Sequence, residues 1–170
     1  MANTSAVADT GPLIALAKID QLGLLPLLFG TVLIPSVVEQ ELFAKRSIES
    51  RRLEAVLGKH LQIVETPEPA PEVQAATWNL DRGEAGAVAL AYSLRLLLIV
   101  DDALARKAAE RLHVQFVGSV GILLDAKRQK HIPSVLPLLL EMRRQGYWLA
   151  DDLIELAAVL AGEIKPPGLI

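Results

Sequence analysis

Leu96-Leu97-Leu98-Ile99-Val100-Asp101-Asp102 is a run of consecutive apolar residues closed by two carboxylates. A strand that is apolar at every position, not at every second one, is buried on both faces, which marks a central strand of a parallel sheet. Working outward, further short apolar runs stand at Ser5–Asp9, Thr31–Ile34, Leu61–Glu65 and Val114–Val117, with Leu96–Val100 among them. Helix-like segments separate them: Pro12–Lys18, Leu22–Phe29, Val37–Arg46, Glu49–Leu57, Glu72–Asn79, Glu84–Leu94 and Ala103–Leu112. Three more follow the last strand, at Val120–Gln129, Val135–Gln145 and Leu153–Ala161. This alternation predicts an α/β/α sandwich with a mainly parallel sheet and right-handed crossovers. Thr66-Pro67-Glu68-Pro69-Ala70-Pro71 reads as a loop, and because the alternation continues on both sides of it, residues 1–170 are expected to form one domain. A helical extension occupies about residues 133–162 of it.

Composition narrows the function. The chain has 170 residues, 52% hydrophobic and 22% charged, so it can bury a core and is not a disordered segment. Aromatics are only 4%, which makes that core aliphatic. Cys is absent and the three His are widely separated, which excludes a disulfide scaffold, a thiol nucleophile and a Cys-ligated zinc site. The net charge of −3 argues against a non-specific DNA coater. Asp9 interrupts the first apolar run, and Pro26, Gly30 and Pro35 break the uncharged stretch from Gln21 to Val38, so neither a signal peptide nor a membrane span is read. The cytoplasm is the expected compartment, with no membrane partner.

In open parallel sheets, ligands bind outside the carboxyl ends of the strands. Asp9 ends the first strand, and Asp101 and Asp102 end the central one, so they are expected at one sheet edge. Asp9-Thr10-Gly11 also spells an aspartic-protease signature, but those enzymes are all-β. Taken alone, Asp9 reads equally well as a turn residue before a helix starting at Pro12. Ser36 and Glu39 read as a capping box, which gives Glu39 a local role. Glu41, at the helical period, falls between Val37 and Val38 on the apolar face, where a carboxylate must be paired, protonated or bound to a metal. Asp81 and Glu84 also read as a capping box; in the functional reading Glu84 heads a helix of small residues that packs closely on the sheet. One Asp suffices to cap the helix after Asp101-Asp102, so the second is surplus. Asp152 with Glu155 reads as another capping box, and that pair as structural. Asp9, Glu41, Glu84 and Asp101/Asp102 together make an all-carboxylate set, which selects Mg²⁺ or Mn²⁺ over zinc. Such ions activate water for phosphodiester cleavage without a separate nucleophilic residue.

Several segments resemble those of PIN-domain nucleases. Val7-Ala8-Asp9-Thr10-Gly11-Pro12-Leu13-Ile14 is similar to their opening strand, Ser36 and Glu41 to their Ser-then-acid helix, and Leu80 to Ala91 to their third-acid helix. Ile99 to Arg106 resembles their fourth-acid segment. Gly118-Ser119-Val120-Gly121-Ile122-Leu123-Leu124 resembles a closing turn of a PIN-like prokaryotic branch. The resemblance implies a Mg²⁺- or Mn²⁺-dependent endoribonuclease acting on an RNA substrate, in a toxin role with a protein antitoxin, as in VapC-like toxins. The implied catalytic and metal-binding acids are Asp9, Glu41, Glu84 and Asp101 or Asp102; strand-end alignment favours Asp101, and the common Thr-x-Asp pattern favours Asp102. The chain departs from the pattern in carrying Glu84 where Asp is common, and Gly11 where a hydroxyl is common. The helices after Pro133 are read as binding a partner or forming a homodimer.

Arg106 is the substrate-binding candidate, because its first-turn position brings it near the acid edge. The pairs Lys45-Arg46, Arg51-Arg52, Arg106-Lys107 and Arg143-Arg144 otherwise read as solvated faces. Trp78, Tyr92, Tyr147 and Trp148 could stack bases, but core or interface packing is the preferred reading. The rival from another class is a catalytically silent PIN-like module binding RNA or protein. A haloacid-dehalogenase-like phosphatase fails on Gly11, where a second Asp is wanted. A response-regulator receiver fails on the late position of its acid pair and on Gly118-Ser119, which brings no Lys after the last strand.

Overall fold

The computed structural model describes residues 5–166. Five strands, β1 (Ser5–Ala8), β2 (Thr31–Pro35), β3 (Leu61–Val64), β4 (Leu97–Ile99) and β5 (Phe116–Val117), form one sheet in the order β3-β2-β1-β4-β5. Every neighbouring pair is parallel. Val7 sits mid-sheet, opposite Leu33 in β2 and Leu98 in β4. All five expected strands form; four keep one expected end and differ by one or two residues at the other, and β4 is a residue shorter at both ends. The chain winds outward through β2 and β3, then returns to the other flank of β1 with β4 and β5. The switch of direction therefore falls between β1 and β4, where α/β sheets place their ligands.

The central strands are buried on both faces, as the unbroken apolar run requires: Leu98, Ile99 and Val100 are at 0% exposure. Val7, Leu98 and Val100 pack with Val88, Leu90 and Ala91 of α6 (Arg82–Leu94) and with Ala105 and Ala108 of α7 (Ala103–Arg111). Ala76 of α5 (Pro71–Thr77) joins them. Small residues bring α6 close to α3 (Ser36–Phe43): a Cβ on Gly86 would stand 3.0 Å from Val37 Cγ1. The helices α1 (Thr10–Lys18) and α4 (Ile48–Val56) pack together and bury Leu13, Leu16 and Leu53. A short α2 (Leu24–Phe29) leads into β2.

Several local expectations are corrected. The helix expected from Pro12 begins at Thr10, so Pro12 becomes its third residue, where the missing N–H would have been unpaired in any case. In α3 the N-cap is Pro35 and Ser36 is already helical, so the Ser36–Glu39 capping box does not form; Ser36 Oγ instead donates to Glu65 Oε2 at 3.4 Å. Trp78 and Trp148 are 79% and 82% exposed, so core packing does not hold for either.

The chain divides into two compact units, residues 1–119 and 120–170. The second contains α8 (Ser119–Arg128) apart from its first residue, with α9 (Leu136–Arg144) and α10 (Asp151–Leu160). Ala150 is the N-cap of α10, so the Asp152–Glu155 capping box is absent too. Asp151 and Asp152 lie in the first turn, where the helix dipole favours negative charge. Glu163 ties this unit together. It accepts from Lys127 Nζ at 2.7 Å and from the Val135 and Leu136 N–H groups at 2.6 and 2.8 Å. Burial raises its pKa, but these donors outweigh burial and leave it below the usual range. No helix among the described residues is long and apolar enough to cross a membrane.

Glu163→Ala is expected to cost about 2–3 kcal/mol in urea unfolding, because it strands two backbone donors and leaves the Lys127 ammonium with the Ala161 carbonyl in place of a carboxylate. Glu163→Gln, which keeps an acceptor, costs less. Amide exchange at Val135 and Leu136 reports the same loss locally, and exchange unchanged in Glu163→Ala would remove Glu163 from this role.

Candidate active site

Asp9 follows β1 directly and its N–H donates to Ile99 O of β4 at 3.0 Å, which pins it at the switch point between the two strands. It is only 6% exposed. Burial pushes its carboxyl up from 3.8 to about 6, and the charges of Asp81 and Glu41 push the same way, against the N–H groups of Thr10 and Gly11.

Glu41 reaches the same place from α3. It is exposed to solvent, not on the apolar face of its helix, whose buried residues are Val38 and Leu42. Its carboxylate accepts from Thr10 Oγ1 at 2.5 Å. It also lies against Gly83, where a Cβ would stand 2.5 Å from Glu41 Oε2, so a glycine leaves the room that this carboxylate occupies. Thr10, one residue before Gly11, thus brings a hydroxyl to this edge.

Asp81 and Glu84 form the expected capping box of α6: Glu84 N–H donates to Asp81 Oδ1 at 2.8 Å, and Asp81 N–H to Glu84 Oε2 at 3.3 Å. The cap does not remove Glu84 from the cluster. Burial raises it from 4.5 to about 7, with Asp102, Asp81 and Asp9 adding repulsion, against the single Asp81 N–H. Asp81 itself was read only as a cap, yet its charge acts on both Asp9 and Glu84. The signal in the sequence was its place: a cap for the helix that carries an acid puts a second acid beside the first.

The two residues ending β4 part company. Asp102 caps α7 through the Leu104 and Ala105 N–H groups at 2.8 and 2.9 Å, and its charge acts on Glu84. Asp101 turns elsewhere. Its Oδ1 accepts from Ser119 N–H at 2.8 Å and stands 3.6 Å from Arg106 Nη2. Arg106 is held there by Val100 O at 3.2 Å and by the Phe116 ring, whose centroid is 5.7 Å from its Cζ. A Cβ on Gly118 would collide with the Arg106 guanidinium and stand 2.6 Å from Asp101 Oδ1. So Asp9, Glu41, Glu84 and Asp102, with Asp81, act on one another, and Asp101 pairs with Arg106 and Ser119 N–H.

A hard divalent cation fits the donor chemistry. All donors are carboxylate oxygens, and their mutual repulsion, read in the raised Asp9 and Glu84, is what a cation neutralises. As the side chains stand, no group of three among the described residues is arranged to hold a metal ion.

The repulsion has a measurable sign. Folded-state values above the unfolded ones mean that these two groups bind more protons in the folded chain, so their contribution to stability falls as pH rises from about 4 through 7. In EDTA, Asp9→Asn is therefore expected to exceed the parent in unfolding free energy at pH 8 by up to about 2–3 kcal/mol, with the difference vanishing near pH 4. A variant less stable than the parent at pH 8 would contradict the strain.

The family model DUF3368, described as a PIN domain, matches residues 5–163. No curated protein matches the chain. PIN domains are typically nucleases and generally use divalent metals. With β1 to β5, every acid discussed and all three helices of the second unit inside the matched span, the chain belongs to the PIN-domain family.

Proposed function

We propose that this PIN-domain chain is a Mg²⁺- or Mn²⁺-dependent endoribonuclease of the toxin-like kind, with RNA as substrate and a protein antitoxin as regulator. The observation that carries the nuclease reading is the carboxylate cluster at the switch point, where burial and like charge lift Asp9 to about 6 and Glu84 to about 7. Asp9, Glu84 and Asp102 would hold the ion, with Glu41 beside them. When bound, a divalent ion lowers the pKa of water and stabilises charge on the phosphodiester oxygens.

The chain's own residues do the rest. Asp9 is fixed by its backbone bond to Ile99, which sets its carboxyl against the sheet edge. Thr10 orients Glu41 through its hydroxyl. Asp81 caps α6 and so fixes the first turn that carries Glu84. Asp102 spends one oxygen, Oδ1, on capping α7. The long Glu41 and Glu84 side chains supply the adjustment needed to close on an ion. Arg106, tied to Asp101 and Val100 O and set over the Phe116 ring, links the β4 and β5 ends.

One observation favours the rival reading of a silent RNA- or protein-binding module: no group of three acids among the described residues stands ready for a metal. Cleavage separates the two. With Mn²⁺ the chain is expected to cut single-stranded RNA, and EDTA to stop it. Asp9→Asn, Glu84→Gln and Asp102→Asn each lower the rate at least about 100-fold, and Asp101→Asn lowers it less. A folded, metal-binding chain that leaves RNA intact would establish the silent module, and cleavage that survives Asp9→Asn would sink this site.

A further inference from the structure

The turn between α5 and α6 carries an indole that the cluster does not explain. Thr77 is buried, with its hydroxyl bonded to Val73 O at 2.8 Å, and Leu80 packs on the core, with its N–H bonded to Thr77 O at 3.0 Å. Between these two anchors, Trp78 and Asn79 stand in solvent. Trp78 is 79% exposed and makes no hydrogen bond or ring contact among the described residues. It is presented on a fixed turn, not a loose tail.

The position of this turn matters more than the exposure. Three residues on is Asp81, whose charge acts on Asp9 and Glu84, so chain connectivity keeps the Cα atoms of Trp78 and Asp81 within about 11 Å. One nucleotide spans roughly half that distance. The residue after Asp81 is Arg82, which is exposed and makes no ion pair among the described residues, although acids crowd its neighbourhood. An unpaired guanidinium beside an acid cluster is available to a phosphate, and it offsets the repulsion that the cluster exerts on a polyanion. An exposed aromatic and an unpaired cation four residues apart are groups of the kind by which single-stranded nucleic acid is held: bases stack and phosphates pair.

We propose that Trp78 and Arg82 form a platform that stacks one base and holds one phosphate of a single-stranded RNA beside the acid cluster. This deepens the nuclease reading and rests on it for the identity of the ligand. Trp78 is then a positioning residue that sets which nucleotide lies over the acids. Duplex RNA is discriminated against, because its bases are already stacked on each other.

The chain has only two Trp, which makes the test direct. Trp148→Phe leaves Trp78 as the sole indole, and Trp78→Phe leaves Trp148. Each chain is titrated with a single-stranded oligouridylate in Ca²⁺, with the RNA checked intact on a gel. Emission from Trp78 is expected to be strongly quenched, and that from Trp148 to stay unchanged. In an otherwise unaltered chain, Trp78→Ala weakens binding about tenfold, Arg82→Ala weakens it and lowers the slope of log K against log salt by about 0.7, and Trp78→Phe recovers most of the affinity. If the RNA is also cut in Mn²⁺, Trp78→Ala raises KM and leaves kcat unchanged.

The failures are distinguishable. Quenching of Trp78 without any cleavage supports the platform and removes the nuclease reading. Cleavage lost in Asp9→Asn but indifferent to Trp78→Ala overturns the platform and keeps the nuclease. Absence of RNA binding overturns the platform as well. A blue shift of Trp78 that grows with chain concentration without RNA would assign the indole to a protein contact and overturn it too.

Discussion

Like charges held together against their own repulsion organise this molecule. Asp9, Glu41, Asp81, Glu84 and Asp102 come from four separate stretches of chain, and none of them makes an ion pair among the described residues. Asp9 stands up at about 6 and Glu84 at about 7 because their charged forms are penalised by burial and by each other. A fold that carries such a cost must hold its acids in place by other bonds. It does so through backbone: Asp9 by its N–H to Ile99, Glu84 and Asp81 by their reciprocal cap, Asp102 by the head of α7.

The sheet order makes this assembly unavoidable. With β1 and β4 as neighbours and the winding reversing between them, residues just past either strand meet at one edge. The helices α1, α6 and α7 begin at that edge, and each starts with or follows an acid. Asp81, Glu84 and Asp102 therefore belong to both cap and cluster, so for these three the reading as a cap and the reading as a site describe one carboxylate with two tasks. Asp101 shows the contrast. It neighbours Asp102 in sequence, but its oxygen is taken by Ser119 N–H and it faces Arg106.

The architecture was legible because the decisive signal is chemical and local. Leu96 to Val100 has no polar face, which forces two-sided burial, and the alternation around it leaves little choice of topology. Of the acids, those at strand ends could be placed from sequence, since the strand dictates where they emerge. Glu41 could not. The helical period put it on the apolar face, but α3 is short, and its buried side is set by Val38 and Leu42 alone. What brings its carboxylate to the site is a hydroxyl on Thr10 and an empty position at Gly83, contacts more than thirty residues apart in sequence. The Ser36 cap failed because the chain passes straight from β2 into helix, with Pro35 taking the boundary. Of the core or interface packing expected of Trp78 and Trp148, the core alternative fails, and only the tertiary structure shows that the aliphatic core closes without them.

The central claim is that the strain at the switch point is relieved by a divalent cation. At pH 6.5, Asp9 and Glu84 together retain about one proton in the free chain, one value lying below that pH and the other above it. Titration calorimetry with Mn²⁺ at pH 6.5, repeated in buffers of different ionisation enthalpy, counts the protons set free. Release of about one proton per chain, falling to none by pH 9 and reduced in Asp9→Asn, is the predicted result. Absence of Mn²⁺ binding, or binding that releases the same number of protons at every pH, would contradict the account.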